Sequence, residues 1–415
     1  MRRVVVTGLG VVAPTGIGKD AFAKAMFSGE SGIRKITSFD ASEIGVSAAG
    51  EVNNFDPVDF MPVHIVRKSD RFVHLGLAAT KLAVEDARLD LESKYFQSAA
   101  VVLGSGQGGL MFHEQTILQF LQATGTKKVP ASAVPRITSN AVSAYLAIHY
   151  HLKGPNQVIS TACSSGTQAI GLAYLAIKRG FSDIAITGGV EAPISPVMLA
   201  MYNSMMVLGS PLNGNPASAS RPFDATRNGF VLSEGSGILV LELLESARAR
   251  GATIYAEIIG FGSNCGAYHM VSPDPSGEDA ASVMRDALKD AKLSPDNVDY
   301  INAHGTSTKW NDLAETRGIK LLLGERAKKV PVSSLKSMIG HTIGASGAIQ
   351  GVASCLIFDH NRIFPTINLK NSDPECDLDY VPNTARDFNG NVIVSNSFGF
   401  GSNNAALVFR RFNNA

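Results

Sequence analysis

The chain has 415 residues, of which 45% are hydrophobic and 18% charged, and a formal net charge of +1. This is the composition of a globular protein with room for two or three domains, not of a disordered or fibrous chain, and the near-balanced charge gives no electrostatic case for binding nucleic acid or a membrane. Its four cysteines (Cys163, Cys265, Cys355, Cys376) are far apart with no Cys-x-x-Cys, so neither a zinc motif nor a disulfide framework is indicated, and a reducing cytoplasm fits.

Met1-Arg2-Arg3 leads into Val4-Val5-Val6-Thr7-Gly8-Leu9-Gly10. The two glycines interrupt this apolar run too early for a signal peptide. No apolar stretch reaches the roughly 18 residues of a membrane span. Ala83-Val84-Glu85-Asp86-Ala87-Arg88-Leu89 reads as helix and precedes the strand Ala99-Ala100-Val101-Val102-Leu103-Gly104. The same order returns downstream. Ala256-Glu257-Ile258-Ile259-Gly260-Phe261-Gly262 echoes the first strand, and Ala287-Leu288-Lys289-Asp290-Ala291-Lys292-Leu293 echoes the helix before the strand at Val298-Asp299-Tyr300-Ile301. Two echoes in one order predict a duplication, with halves of about 1–251 and 252–415. Strands alternating with helices predict an α/β fold with mixed or parallel sheets. Residues 105–140 and 195–225, rich in Gly, Pro, Ser and Asn and without long periodicity, read as insertions in the longer first half.

Cys163 follows the apolar run Val158-Ile159-Ser160-Thr161-Ala162 and precedes a helical pattern through Gln168–Ala176. A cysteine at such a strand-to-helix turn aims its sulfur at unpaired amides and the positive end of the helix, which favours the nucleophilic thiolate. A buried structural cysteine is the alternative, and nucleophilic chemistry also needs a partner. Two histidines fit that need. His304 lies in Asn302-Ala303-His304-Gly305-Thr306-Ser307-Thr308, and His341 in Lys336-Ser337-Met338-Ile339-Gly340-His341-Thr342-Ile343-Gly344. Each occupies a Gly-flanked loop after a strand, where open α/β sheets bind ligands. The other seven (His64, His74, His113, His149, His151, His269, His360) read as surface or satisfied core residues.

These segments, taken with Asn396-Ser397-Phe398-Gly399-Phe400-Gly401, resemble the Cys-His-His condensing enzymes. These are the β-ketoacyl-[acyl-carrier-protein] synthases, here nearest the elongating type II synthase and its polyketide relatives. The resemblance runs from Val4 almost to the C-terminus. It implies a thiolase-like five-layer αβαβα fold of two duplicated halves. It also implies a decarboxylative Claisen condensation of malonyl-ACP with an acyl group held as a thioester on Cys163, lengthening a fatty acyl or polyketide chain by two carbons. By the same resemblance, His304 and His341 bind the malonyl thioester oxygen, and backbone N–H groups of Cys163 and Phe400 hold the tetrahedral intermediate. Lys336 is implied to organise the histidine loop through a buried carboxylate, Glu315, with Asp312 nearby. Thr306 and Thr308 are implied to bind the amides of the phosphopantetheine arm, and Phe398 and Phe400 to form a gate.

The implied partner is an acidic acyl carrier protein, so Arg67, Lys68, Arg71, Lys127 and Lys128 are candidate docking residues, each of which also fits a solvated surface charge. Because substrates travel on the carrier's arm, no cofactor and no metal are expected. The enzyme is expected to be a homodimer, or a heterodimer with a ketosynthase-like chain-length subunit. Several positions depart from the family's habit: Gln107, implied to line the acyl pocket across the dimer, Ala133, implied to lie at the substrate site where a large aromatic is common, Met205-Met206, Lys309-Trp310-Asn311-Asp312 and Ser402-Asn403-Asn404. They bear on chain length, substrate polarity and carrier identity, and so keep open a dedicated type II polyketide or polyene system with a chain-length-factor partner. Retention of Cys163, His304, Lys336 and His341 argues against a non-catalytic partner subunit. A thiolase needs a second cysteine as base, and Cys376 sits in the polar run Asp373-Pro374-Glu375-Cys376-Asp377.

Overall fold

The computed structural model describes residues 2–124 and 128–413. Its first half contains Val4–Ala13 (β1), Arg71–Ala87 (α1), Ala100–Gly104 (β2), Asn156–Ile159 (β3), Ser165–Lys178 (α2), Ile184–Glu191 (β4) and Gly235–Leu243 (β5). Its second contains Ala256–Cys265 (β6), Glu278–Ala291 (α3), Tyr300–Asn302 (β7), Lys309–Leu323 (α4), Val332–Ser333 (β8), Ser346–His360 (α5), Val392–Gly399 (β9) and Asn403–Arg411 (β10).

Among the described residues these strands form one hydrogen-bonded path, β8-β7-β9-β10-β6-β1-β5-β4-β2-β3. Counted outward from the centre, each half places its strands first, fifth, fourth, second, third. The directions repeat as well: first–fifth and fifth–fourth antiparallel, fourth–second and second–third parallel. The halves meet where Val4–Val6 runs antiparallel to Ala256–Ile258. The duplication expected from the echoes is therefore present in the topology.

Helices α2 and α5 pack on each other and against strands of both halves, while α1 covers the outer face of one sheet and α3 and α4 the other. The result is five layers, with the three largest buried apolar clusters placed one centrally and one under each outer helix layer. Helix α5 is buried at every position from Ser346 to Phe358, which explains why its sequence there is, apart from Gln350, apolar or small all round rather than striped.

The sequence echoes have a common physical cause. A Cβ on Gly10 would lie 1.8 Å from the Ala79 carbonyl oxygen, and one on Gly8 2.2 Å from that of Ala83. In the second half, Gly262 meets Val283 O at 2.3 Å and Gly260 meets Ala287 O at 2.2 Å. Each strand thus lies directly on the backbone of its helix, at a distance only glycine allows. Asp86 accepts the Leu9 N–H at 2.8 Å and Asp290 the Phe261 N–H at 3.2 Å. Each of these carboxylates also binds one lysine and one tyrosine: Lys19 and Tyr255, or Lys178 and Tyr174. The repeated Ala-x-x-Asp-Ala-x-Leu pattern is thus a strand–helix clasp, built twice.

The segments 105–140 and 195–225, read as insertions without long periodicity, carry regular structure. They contain helices Leu110–Gln122, Ala133–Ile137 and Pro196–Ser204. The first has no buried residue, and Ile117, Leu118, Phe120 and Leu121 stand exposed. Its apolar residues do not follow this chain's own core, so a pattern search for a core-facing stripe misses it.

Gly10→Ala should destabilise the fold, because overpacking against backbone costs roughly 1–3 kcal/mol. The thermal unfolding midpoint is expected to fall by at least about 2 °C. An unchanged midpoint would show that this strand–helix spacing has slack.

Candidate active site

Strand β3 ends at Ile159, and the chain turns sharply before α2 begins at Ser165. Ala162 takes a φ of 51°, a left-handed conformation that costs a non-glycine residue on the order of 1–2 kcal/mol. The two serines after the cysteine brace this turn. Ser165 Oγ accepts from the Thr161 N–H at 2.9 Å and donates to Ala162 O at 2.6 Å, while Ser164 Oγ donates to Thr161 O at 2.8 Å. Cys163 is left at the helix mouth, 5% exposed.

His304 follows β7 directly, as expected. His341 does not follow β8 directly, because the turn Lys336–Ile339 intervenes. The rings nevertheless converge, with centroids 5.5 Å apart and planes at 85°. Small residues permit the approach: a Cβ on Gly166 or Gly189 would sit 2.9 or 2.7 Å from Gly344 O. The N-terminus of α2 therefore abuts the His341 loop.

Hydrogen bonds fix the state of both imidazoles. The Ile343 N–H can only donate, and it reaches His341 Nδ1 at 3.2 Å, with Ser346 Oγ 2.9 Å from the same nitrogen. Nδ1 is therefore the acceptor and Nε2 carries the proton. The Lys336 ammonium likewise faces His304 Nδ1 at 3.4 Å, which assigns that ring the same tautomer. Burial, with Lys336 nearby, holds both imidazoles well below their usual pKa. Both are therefore neutral at pH 7, each with one N–H to offer.

Lys336 and Glu315 do not pair in the way expected. Lys336 Nζ donates to His304 O at 2.6 Å and to Gln350 Oε1 at 3.1 Å. Glu315 accepts the N–H groups of His304 at 2.8 Å and Gly305 at 2.7 Å, with Asn396 Nδ2 at 3.2 Å. The ammonium and the carboxylate thus clamp the same peptide segment from its carbonyl and its amides, rather than touching each other. Burial lowers the lysine's pKa and raises the glutamate's. Asp312 is buried beside Arg227 and caps the Phe223 N–H.

Glu191 at the end of β4 does for the other half what Glu315 does here, and sequence reasoning missed it. It accepts N–H groups of Gly106 at 2.8 Å, Gln107 at 3.1 Å and Gly344 at 3.0 Å. Burial pushes its carboxyl up to about 7. The only local signal was an acid ending a Gly-Gly-Val strand, and its partners lie up to 153 positions away.

Cys163, His304 and His341 open into one cavity of about 370 Å³, which Thr306, Thr308, Phe398, Phe400 and Glu315 also line. The two threonine hydroxyls are 2.8 Å apart, and Phe398 packs edge-on to His304. Burial pushes the Cys163 thiol up to about 11, against the pull of Lys336 and of the Phe400 and Cys163 amides. The helix-terminus argument from sequence had left out this desolvation.

Other candidates fall elsewhere. Gln107 and Ala133 do not line this cavity. Gln107 Nε2 donates instead to Tyr202 OH at 3.0 Å, and Tyr202 is on the wall. Arg67, Lys68 and Lys128 are exposed, and Lys127 lies outside the described residues. Arg71 is committed to Glu234 through two bonds of 2.6 Å, so it is a structural ion pair rather than part of a free basic cluster. His269, read as an ordinary histidine, lines the cavity, whereas Cys376 does not.

Residues 1–247 match the family model "Beta-ketoacyl synthase, N-terminal domain", and residues 255–370 match "Beta-ketoacyl synthase, C-terminal domain". A "3-oxoacyl-[acyl-carrier-protein] synthase 2" of Synechocystis sp. is 44% identical over 413 residues, covering 99% of this chain and 98% of the relative. A solved type II PKS acyl-carrier protein in complex with its ketosynthase bound to the hexaketide matches with a TM-score of 0.92 at 34% identity, over 99% of this chain and 100% of that one. The ishigamide ketosynthase/chain length factor matches with a TM-score of 0.91 at 33% identity, with the same coverage.

With the thiol this high, alkylation of Cys163 by iodoacetamide should climb about tenfold per unit between about pH 7 and pH 9, since only the thiolate reacts. A plateau below about pH 8 would mean that the sulfur is already ionised. Lys336→Met removes the cation that favours thiolate and should slow alkylation. An equal or faster rate would remove Lys336 from that role.

Proposed function

The chain belongs to the β-ketoacyl synthase family, and from that premise we propose how its residues carry out the condensation of a 3-oxoacyl-[acyl-carrier-protein] synthase. The observation that carries the reading is the convergence of one thiol and two neutral imidazoles, their rings 5.5 Å apart, on a single cavity. In the first step the Cys163 sulfur attacks the carbonyl carbon of an acyl thioester borne on the carrier's phosphopantetheine arm. The carrier's thiol leaves with a proton, and the acyl group remains on Cys163. The Phe400 and Cys163 amides face the sulfur and are well placed to take the oxyanion of that intermediate.

A malonyl thioester then enters, its arm held by Thr306 and Thr308. The Nε2–H groups of His304 and His341 donate to its thioester oxygen. Carbon dioxide departs, and the electron pair of the broken C–C bond forms an enolate whose charge those donors stabilise without needing a strong base. The enolate carbon attacks the acyl-Cys163 carbonyl, the new C–C bond forms, and the sulfur is expelled as thiolate. Neutral rings suit this role, since each already holds the proton it donates. Lys336, Glu315 and Glu191 act as positioning residues for the loops, and Phe398 and Phe400 as the gate. No step draws on a cofactor.

We take the halves as 1–251 and 252–415. A second ketosynthase-like subunit, a copy of this chain or a chain-length partner, is proposed to cover the exposed apolar face of Leu110–Gln122. Among the described residues no helix is long and apolar enough to cross a membrane, and we place the enzyme in the cytoplasm. A second reading keeps the chemistry and changes the client to a dedicated type II polyketide or polyene. The Gln107–Tyr202 hydrogen bond, which fixes a phenol on the cavity wall, supports it, because a polar group is unfavourable beside a plain hydrocarbon chain.

Cys163→Ala should abolish transfer of a labelled acyl group to the protein, and an acylated alanine variant would misassign the nucleophile. His304→Ala and His341→Ala should each keep acyl transfer and lose about 10²–10³-fold in decarboxylation. Full malonyl turnover by either would remove its role. Gln107→Ile should raise activity on long saturated acyl chains, and an unchanged chain preference would count against the second reading. Sedimentation of the purified chain separates an active homodimer from a subunit that needs a partner.

A further inference from the structure

The mouth of the catalytic cavity is built from apolar side chains left in water. Met206 is 87% exposed and Trp310 59%, and both line the cavity whose interior holds Cys163. Met270, 72% exposed, sits beside them: its carbonyl accepts the Gly401 N–H at 2.7 Å, next to Phe400. Met206 also takes a φ of 56° after the helix Pro196–Ser204, a position where glycine or asparagine is the usual choice. Stability asks for neither an exposed methionine nor this backbone, and strained positions of this kind cluster at functional sites. A second cleft of about 290 Å³, lined by Tyr268, Pro273, Pro275, Trp310, Leu313 and Arg317, opens beside the mouth and shares Pro273 and Trp310 with the cavity.

The charges around this rim are mixed. Lys309 lies over the Trp310 ring at 5.2 Å, and Arg317 is held by Pro275 O and Glu375. Against them stand Asp274 and Asp279 on the wall and Glu278, which is paired with Arg285. Among the described residues the rim therefore carries charges of both signs, and its exposed apolar side chains are its distinctive feature.

We infer that Met206, Tyr268, Met270 and Trp310 form an apolar collar that holds the acyl carrier protein, with one apolar side chain of the carrier seated in the cleft between Tyr268 and Trp310. This rests on the reading that the thioester arrives on a carrier. An arm that must deliver its end to Cys163 while still attached brings the carrier's body onto the rim, where these side chains stand. Methionine suits such a surface because its flexible thioether adapts to its contacts, and aromatic residues dominate binding energy at interfaces.

The test compares kcat/KM for the same malonyl and acyl groups carried on the carrier protein and on pantetheine alone. In Tyr268→Ala, Met270→Glu and Trp310→Ala the carrier-to-pantetheine ratio should fall about tenfold. In the unsubstituted enzyme that ratio should hold as ionic strength rises from about 0.05 M to about 0.5 M, since apolar contacts are not screened. An unchanged ratio in all three variants overturns the proposal. So does a steep salt dependence that Arg67→Glu abolishes, or a shift in sedimentation in the variants that assigns the collar to a second copy of this chain. Failure of the underlying reading shows differently, as no condensation by the unsubstituted enzyme on either substrate, and it removes the collar proposal too.

Discussion

The site depends on two carboxylates buried without a cation in contact. A carboxylate away from water is tolerated only where donors surround it, and here the donors are backbone amides. Glu191 gathers Gly106, Gln107 and Gly344; Glu315 gathers His304 and Gly305. Three of the loops around the cavity are thereby tied to rigid elements, the end of β4 and the middle of α4. Side-chain substitutions in the loops leave these bonds intact, whereas loss of either acid leaves several amides without an acceptor.

One cation organises the electrostatics. Lys336 adds to the burial that lowers both imidazoles, donates to the His304 carbonyl and favours the thiolate form of Cys163. Burial opposes that last effect and keeps the resting thiol protonated. The thiol is thus slow toward solvent-borne electrophiles at neutral pH, while the two rings keep their protons throughout the physiological range. Neutral donors beside a reluctant thiol are suited to a reaction that generates its carbanion by losing carbon dioxide rather than by removing a proton.

Cys163, His304 and His341 were legible because each sits in a distinctive short segment at the end of a strand. The duplication was legible because the strand–helix clasp needs glycines facing alanines and an aspartate at a fixed offset. Glu191 was not, since its function lies in bonds to residues remote in sequence. The Lys336–Glu315 arrangement was misread for a related reason: charge complementarity suggested a direct ion pair, but the His304 peptide separates the two. The helix Leu110–Gln122 escaped notice because its apolar residues face away from this chain's core. Met206, Trp310 and His269 on the cavity wall reach it through tertiary packing that no local pattern encodes.

The repeated strand order has a further consequence. Cys163 follows the third strand of its half and leads into α2; His341 follows the third strand of the other and leads into α5. Thiol and proton-bearing ring thus come from equivalent stations about a pseudo-dyad that passes through the cavity. Because the two stations are encoded separately, either can drift without dragging its twin along. An internally doubled chain can therefore achieve a lopsided division of labour that a symmetric pair of identical polypeptides could not.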